Sequence, residues 1–250
     1  RQRPRRVLFM AEAVTVTHVG RLFKLAAGLD RSRFTPLFAW DPRYNTWLGN
    51  FTNEFYPLRT VSTTDFRQRL YRGAPVYDFA LLERYVSWDL EIFRESRPDV
   101  VVGDYRLSLG TSAQFAGIPY VNIINAHWSP YARPRFRVPE GPVTHRFGVW
   151  PAQLVFDALR PIFFLRYAHD FNRLNAKFGR PEFGHSLQEI YCHGDITLYP
   201  DFPSVVPVEW LPVSHRYMGP VVWSPNLPFP EELSRPAAAS LGRSFMAGNR

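Results

Sequence analysis

In Arg97-Pro98-Asp99-Val100-Val101-Val102-Gly103-Asp104 a proline, an unbroken β-branched run and a terminal carboxylate follow one another. Proline stops a preceding helix, and the valine run suits a strand buried on both faces of a parallel sheet. Upstream, Tyr77, Leu81, Leu82, Tyr85, Trp88, Ile92 and Phe93 recur at helical spacing. Glu83, Arg84, Asp89, Glu91 and Arg94 fall largely on the other side. Downstream, Leu107 to Ala116 suits a helix and Pro119-Tyr120-Val121-Asn122-Ile123-Ile124 a further strand. Helix, strand, helix, strand is the signature of an α/β fold with a parallel sheet.

Nearer the start, Val7-Leu8-Phe9-Met10 reads as a first buried strand. A polar loop and a helix from His18 to Leu29 follow, with Leu22, Leu25, Ala26 and Leu29 on one face. Strands are expected at Thr35 to Trp40 and Phe55 to Leu58, and a late one at Asp195 to Tyr199. Asn125 to Gly148 is proline-rich and expected to be irregular, a length of loop that is usually functional. Trp150 to Phe178 is helical in pattern, with a kink or break expected at Pro161. No internal repeat is present.

Composition narrows the class. The chain has 250 residues, 46% hydrophobic and 21% charged, enough for one sizeable core. No apolar run approaches the roughly 18 residues a membrane-spanning helix needs. The lone Cys192 leaves no disulfide framework and fits a reducing, cytoplasmic compartment. Net charge is +8, but Arg1, Arg3, Arg5 and Arg6 precede the first strand-like run, so the remainder carries 26 basic against 22 acidic groups. Residues 1–6 thus read as a basic extension able to touch membrane phosphates, a peripheral contact at most. Glu12 interrupts any signal-peptide core.

Ligands of open parallel sheets bind beyond the carboxyl ends of the strands. His18 follows the first strand and Asp104 ends the fourth. A carboxylate beside an imidazole fixes its tautomer and stabilises its protonated form, which suits removal of a proton from a hydroxyl. Other constellations are weaker. His185, Cys192 and His193 lack an obvious fourth zinc ligand. No Gly-x-Ser-x-Gly elbow, G-x-G-x-x-G turn or Walker A lysine is present. Arg133, Arg135 and Arg137 beside Tyr131 and Phe136 have the ingredients of a single-strand platform, but no recognised nucleic-acid module surrounds them. Asn50-Phe51-Thr52 matches a glycosylation sequon without a secretory signal to give it meaning.

The order of these segments resembles the N-terminal half of the UDP-glycosyltransferase family, the family 1 type of GT-B fold. Pro98 to Asp104 looks like its "PD-hydrophobic-D" strand, and Ala113 to Val121 like its "A-x-x-x-G-I-P-x-V" segment. Tyr217-Met218-Gly219-Pro220-Val221 is similar to the "hydrophobic-G-P" segment that leads into the family's second domain. The resemblance covers roughly residues 7 to 223. It implies a Rossmann-like parallel sheet flanked by helices, forming an acceptor-binding domain over residues 7–218. Residues 219–250 would be an interdomain linker and truncated tail.

By the same resemblance His18 would be the general base for an acceptor hydroxyl and Asp104 its orienting partner, in an inverting transfer. Asn125, His127 and Trp128, in the loop after the fifth strand, would face a small-molecule or lipophilic hydroxyl acceptor. Two departures stand out: Thr17 where the family usually has Gly, and Arg21 where it usually has Pro. Nothing after Pro220 resembles the family's donor domain, so a nucleotide-sugar, UDP-linked by resemblance, would be bound mainly by a domain supplied in cis or in trans. No metal or other cofactor is implied. The alternatives are a non-catalytic acceptor-binding module, one subunit of a split transferase, or a decayed product.

Overall fold

A computed structural model of the chain describes residues 3–49, 52–208 and 210–225. Asn50 and Phe51 of the sequon, and all of the tail from residue 226 onward, lie outside the described residues. Seven strands form one sheet: β1 (Arg5–Ala11), β2 (Phe34–Trp40), β3 (Phe55–Pro57), β4 (Val100–Asp104), β5 (Tyr120–Ile123), β6 (Ile196–Tyr199) and β7 (His215–Tyr217). Their spatial order is β3-β2-β1-β4-β5-β6-β7, and every pairing is parallel. The helices are α1 (Val16–Ala27), α2 (Asn45–Leu48), α3 (Thr63–Tyr71), α4 (Phe79–Ser96), α5 (Leu109–Ala116), α6 (Pro142–Phe147), α7 (Val149–Lys177) and α8 (Leu187–Tyr191). The fold is α/β, a parallel sheet with helices on both faces.

Alternation along β1 explains the layering. Val7, Phe9 and Ala11 pack toward α1, with Val19, Leu22 and Ala26. Leu8 and Met10 pack on the other face with Ile92 and Phe93 of α4 and Leu109 of α5. Helix ends follow local chemistry. Asp78 caps α4 by accepting from the Leu81 amide at 2.9 Å, and Arg97 ends it at φ 44° just before Pro98. Gly103 has a packing reason: a Cβ there would collide with Leu109 of α5 and with the Tyr120 ring. Its absence lets α5 lie close over β4.

Several expectations change. β1 begins at Arg5, so two arginines assigned to the basic extension are strand residues. The Arg6 amide donates to Asp99 at 2.7 Å, its guanidinium reaches Glu54 at 3.0 Å, and Arg3 pairs with Asp99 at 2.9 Å. The prolines of the 125–148 segment do not exclude helix: Pro142 opens α6, because a first-turn residue needs no amide donor. α7 runs unbroken through Pro161 for 29 residues. α3, α8 and β7 had no periodic signal, being short and mixed in polarity. Asp89, expected off the apolar stripe, is fully buried on it. The signal was available, since Asp89 lies four residues from Tyr85 and three or four from Ile92 and Phe93.

Candidate active site at the carboxyl edge of the sheet

Strand order reverses between β1 and β4, the crevice position where ligands of such sheets bind. Ala11 and Asp104 are register partners across that crevice. Eighty-six residues of intervening chain therefore do not separate the β1–α1 loop from the end of β4. His18, in the first turn of α1, places Nδ1 2.8 Å from Asp104 Oδ1. The imidazole is 16% exposed and the carboxylate 1%. A carboxylate only accepts, so Nδ1 carries the shared proton and Nε2 is left with its lone pair.

Two neighbours escaped sequence reading. Tyr105 adopts φ 59°, an uncommon left-handed conformation for a residue with a side chain. Its ring stacks on His18 at 5.0 Å with 16° between planes. Burial pushes the Tyr105 hydroxyl up to about 12, so it stays protonated in the physiological range. Arg21, one helical turn beyond His18, brings Nε within 3.3 Å of the other carboxylate oxygen, Asp104 Oδ2. Asp104 is thus shared between an imidazole and a guanidinium. Arg21 is buried, and its Nη1 has no hydrogen-bond partner among the described residues. The sequence clue was the Arg in place of Pro three residues after His18.

Beneath this pair lies a buried ionic network. Arg106 donates from Nη1 to Glu12 at 3.0 Å and from Nη2 to Asp89 at 2.9 Å; all three residues are fully buried. Its guanidinium also lies 3.7 Å from the Tyr85 ring centroid. The Tyr85 hydroxyl donates to Glu12, and Ser108 and Ser112 donate to Asp89. Burial pushes both carboxyls up, with Arg106 pulling each back. Glu12 closes the β1–α1 loop against β4 through its amide, which donates to the Asp104 carbonyl at 3.0 Å. The network therefore ties together the two loops that carry His18 and Asp104.

Asn125, His127 and Trp128 occupy the loop after β5, but differently. The Asn125 amide reaches Asp201 at 3.5 Å, and Asp201 also accepts from the Ala126 amide at 2.6 Å. His127 is exposed and lines an open groove of about 360 Å³ with Tyr131, Arg133, Val205 and Val208; partial burial lowers its ring pKa. Trp128 packs inward, its ring 4.5 Å from Tyr191 and 5.5 Å from Phe136. Ring contacts thus run without a gap from His18 through Tyr105, Tyr191, Trp128 and Phe136 to Phe164 on α7. Two of the zinc candidates are spent on packing and the third is exposed: Cys192 donates to the Trp128 carbonyl, His193 stacks on Phe183 and meets Gln114 at 2.7 Å, and His185 lies on the surface near Glu182. Among the described residues no three metal-ligating side chains cluster.

No protein-family model matches the chain. Individual relatives do. A Mycobacterium tuberculosis "PGL/p-HBAD biosynthesis glycosyltransferase" is 45% identical over 225 residues, covering 90% of this chain and 53% of that protein. A Mycobacterium bovis "Inactive PGL/p-HBAD biosynthesis glycosyltransferase" matches at 45% over 225 residues, 90% of this chain and 62% of its own. A Mycobacterium bovis "PGL/p-HBAD biosynthesis rhamnosyltransferase" is 44% identical, over 89% of this chain and 49% of that one. The chain spans about half to three-fifths of the length of the curated relatives it matches.

Solved structures agree on the fold alone. Spinosyn forosaminyltransferase SpnP superposes with a TM-score of 0.53 at 18% identity, over 92% of this chain and 54% of that one. The glycosyltransferase of kitacinnamycin superposes with 0.51 at 15% identity, over 88% and 53%. Over about nine-tenths of its length the chain is thus similar in sequence to curated glycosyltransferases, and its α/β fold, a parallel sheet flanked by helices, is the one found in solved glycosyltransferases of GT-B fold.

Proposed function

We propose that these residues form the acceptor-binding unit of an inverting glycosyltransferase, with His18 as general base and Asp104 as its orienting partner. The observation that carries the reading is the 2.8 Å contact between His18 Nδ1 and Asp104 Oδ1 at the crevice between β1 and β4. In the proposed step the acceptor O–H gives its proton to His18 Nε2. Its oxygen forms the new bond to the anomeric carbon of the sugar. The bond from that carbon to the diphosphate oxygen breaks, and the nucleoside diphosphate leaves with the electron pair on the opposite face. Such a base contributes about 10²- to 10⁴-fold to rate.

The acceptor in this reading is a lipophilic hydroxyl compound, supported by the aromatic row from His18 to Phe136. Asn125 and His127 face it, while Trp128 serves as the wall behind. Residues 7–218 make up the acceptor domain, and the interdomain linker of this reading begins at 219. Trp223 lies on α1 against Gly20, where a Cβ would collide with the indole. The diphosphate and sugar are held by residues outside these 250, in cis or on another chain. Sugar and nucleotide are those of the donor side.

A second reading, a non-catalytic acceptor-binding module, is favoured by Arg21. A buried cation on Asp104 Oδ2 draws on the same negative charge that would stabilise protonated His18. The assay that separates the readings joins the donor half of an active relative after Pro220 and follows transfer of a labelled sugar. The catalytic reading expects no transfer by the 250 residues alone, transfer by the fusion, and loss of it with His18→Ala. The module reading expects a silent fusion that Arg21→Gln awakens. Turnover that survives His18→Ala, or tight nucleotide-sugar binding by the isolated chain in calorimetry, overturns the assignment of His18.

A further inference from the structure

The first half of α7 turns the usual amphipathic rule around. Gln153, Asp157 and Arg160 face the body of the protein: Gln153 accepts from the Val138 amide at 2.8 Å, and Arg160 lies over the Phe136 ring. The opposite stripe, Pro151, Leu154, Val155, Ala158, Ile162 and Leu165, faces solvent. Leu154 is 73% exposed, Ile162 62% and, at the helix start, Trp150 79%. Ten of the nineteen large hydrophobic side chains exposed among the described residues fall between Val143 and Leu165. The apolar surface is therefore concentrated in one place rather than scattered, which marks an interaction site.

Charge says what the surface fits. Residues 133–166 hold six arginines against Glu140 and Asp157, a net +4, half of the whole chain's excess in 34 residues. Phe136 turns inward onto Phe164, so its neighbours Arg135 and Arg137 point to solvent beside the helix, and Arg146 of α6 and Arg166 within α7 are exposed on either side of the stripe in sequence. A second copy of this chain would bring two such basic faces together. An anionic bilayer presents the opposite charge and an apolar interior in the right order. The outward stripe is about 21 Å long at 1.5 Å per residue. No helix among the described residues is long and apolar enough to cross a membrane.

We infer that the outward face of α7, from Pro151 to Leu165, lies in the headgroup region of an anionic lipid bilayer, with Arg135, Arg137, Arg146 and Arg166 on its phosphates. Helices of this kind sink their apolar side about to the acyl boundary and gain both from buried apolar area and from attraction to anionic lipid. The inference stands on this surface alone and is independent of the role given to His18. It moves membrane contact from the chain's first arginines, of which Arg3 and Arg6 are engaged by Asp99 and Glu54, to a helix 140 or more residues away.

Vesicle co-sedimentation of the 250-residue chain tests it, with phosphatidylglycerol-rich and pure phosphatidylcholine vesicles. Strong binding to the anionic vesicles is expected, weakening about tenfold or more in Leu154→Gln/Ile162→Gln and in Arg135→Glu/Arg137→Glu. Both pairs are solvent-facing, so an unchanged urea midpoint confirms that each variant is folded. No binding, equal binding to both vesicle types, or binding indifferent to these changes overturns the inference. A concentration-dependent dimer that Leu154→Gln/Ile162→Gln dissolves also overturns it, assigning the face to a second copy.

Discussion

Beneath the crevice, Glu12, Asp89 and Arg106 are charged and wholly buried; along the first half of α7, Leu154, Val155 and Ile162 are apolar and open to water. Both regions break the rule that charge goes outside and hydrocarbon inside, and they break it in opposite ways. The buried charges are matched nearly group for group, with Arg106 between two carboxylates and two serines completing Asp89. The exposed hydrocarbon has no such complement within the described residues. A violation closed by its own partners holds the fold together. One left open is a surface waiting for a partner.

The largest consequence is expected in the network. Arg106→Met leaves two buried carboxylates without their cation and should cost about 3–5 kcal/mol in urea unfolding. Replacing Glu12, Asp89 and Arg106 together by apolar residues of similar size should recover most of that loss, because the desolvation cost then disappears with the charges. A single variant as stable as the parent would mean that the network is not closed as described.

An intermediate effect is expected from buried histidine. Burial holds His193 down to about 4, against an ordinary value near 6.5. Folded His193 stays neutral while the unfolded chain takes up a proton. Stability is therefore complete above about pH 6.5 and falls as pH drops toward about 4, by on the order of 2–3 kcal/mol. Partial burial lowers His215 in the same direction, adding to the slope. His193→Gln should flatten the unfolding free energy across that window, and an unaltered slope would place the acid sensitivity elsewhere.

The smallest change is expected at Leu154 in the first half of α7, and set against Leu174 it separates the two halves of the helix. Leu174, fully buried in the second half, should cost about 2–5 kcal/mol as Leu174→Ala. Leu154→Gln in the first half should stay within about 0.5 kcal/mol of the parent, since the side chain is 73% exposed. Equal costs at the two positions would mean that the outward face is buried in solution.

The strands and long helices were legible because each obeys a local period. Valine runs at 100–102 and apolar stripes on α1 and α4 bury themselves by the same spacing that makes them recognisable. His18 and Asp104 could be named because Asp104 ends β4 and His18 opens the helix after β1, both at the carboxyl edge where an open sheet exposes side chains to a ligand. Asn125, His127 and Trp128 could be placed in a loop but not told apart. Which of them meets solvent depends on Asp201, Tyr191 and Phe136, from distant segments.

What local pattern settled, then, is the alternation of strand and helix and the identity of the two residues at the crevice. What only the folded chain decided is everything that depends on who meets whom. Asp89 looked like a surface charge until Arg106 met it, Arg21 stood out only as a departure from a family pattern until it met Asp104, and α7 read as one helical stretch until the fold buried much of its second half and left one face of its first half exposed. The reason is physical: periodicity reports that a face is apolar, whereas burial and charge pairing are properties of contacts between residues far apart in sequence, which arise only when the sheet brings them together.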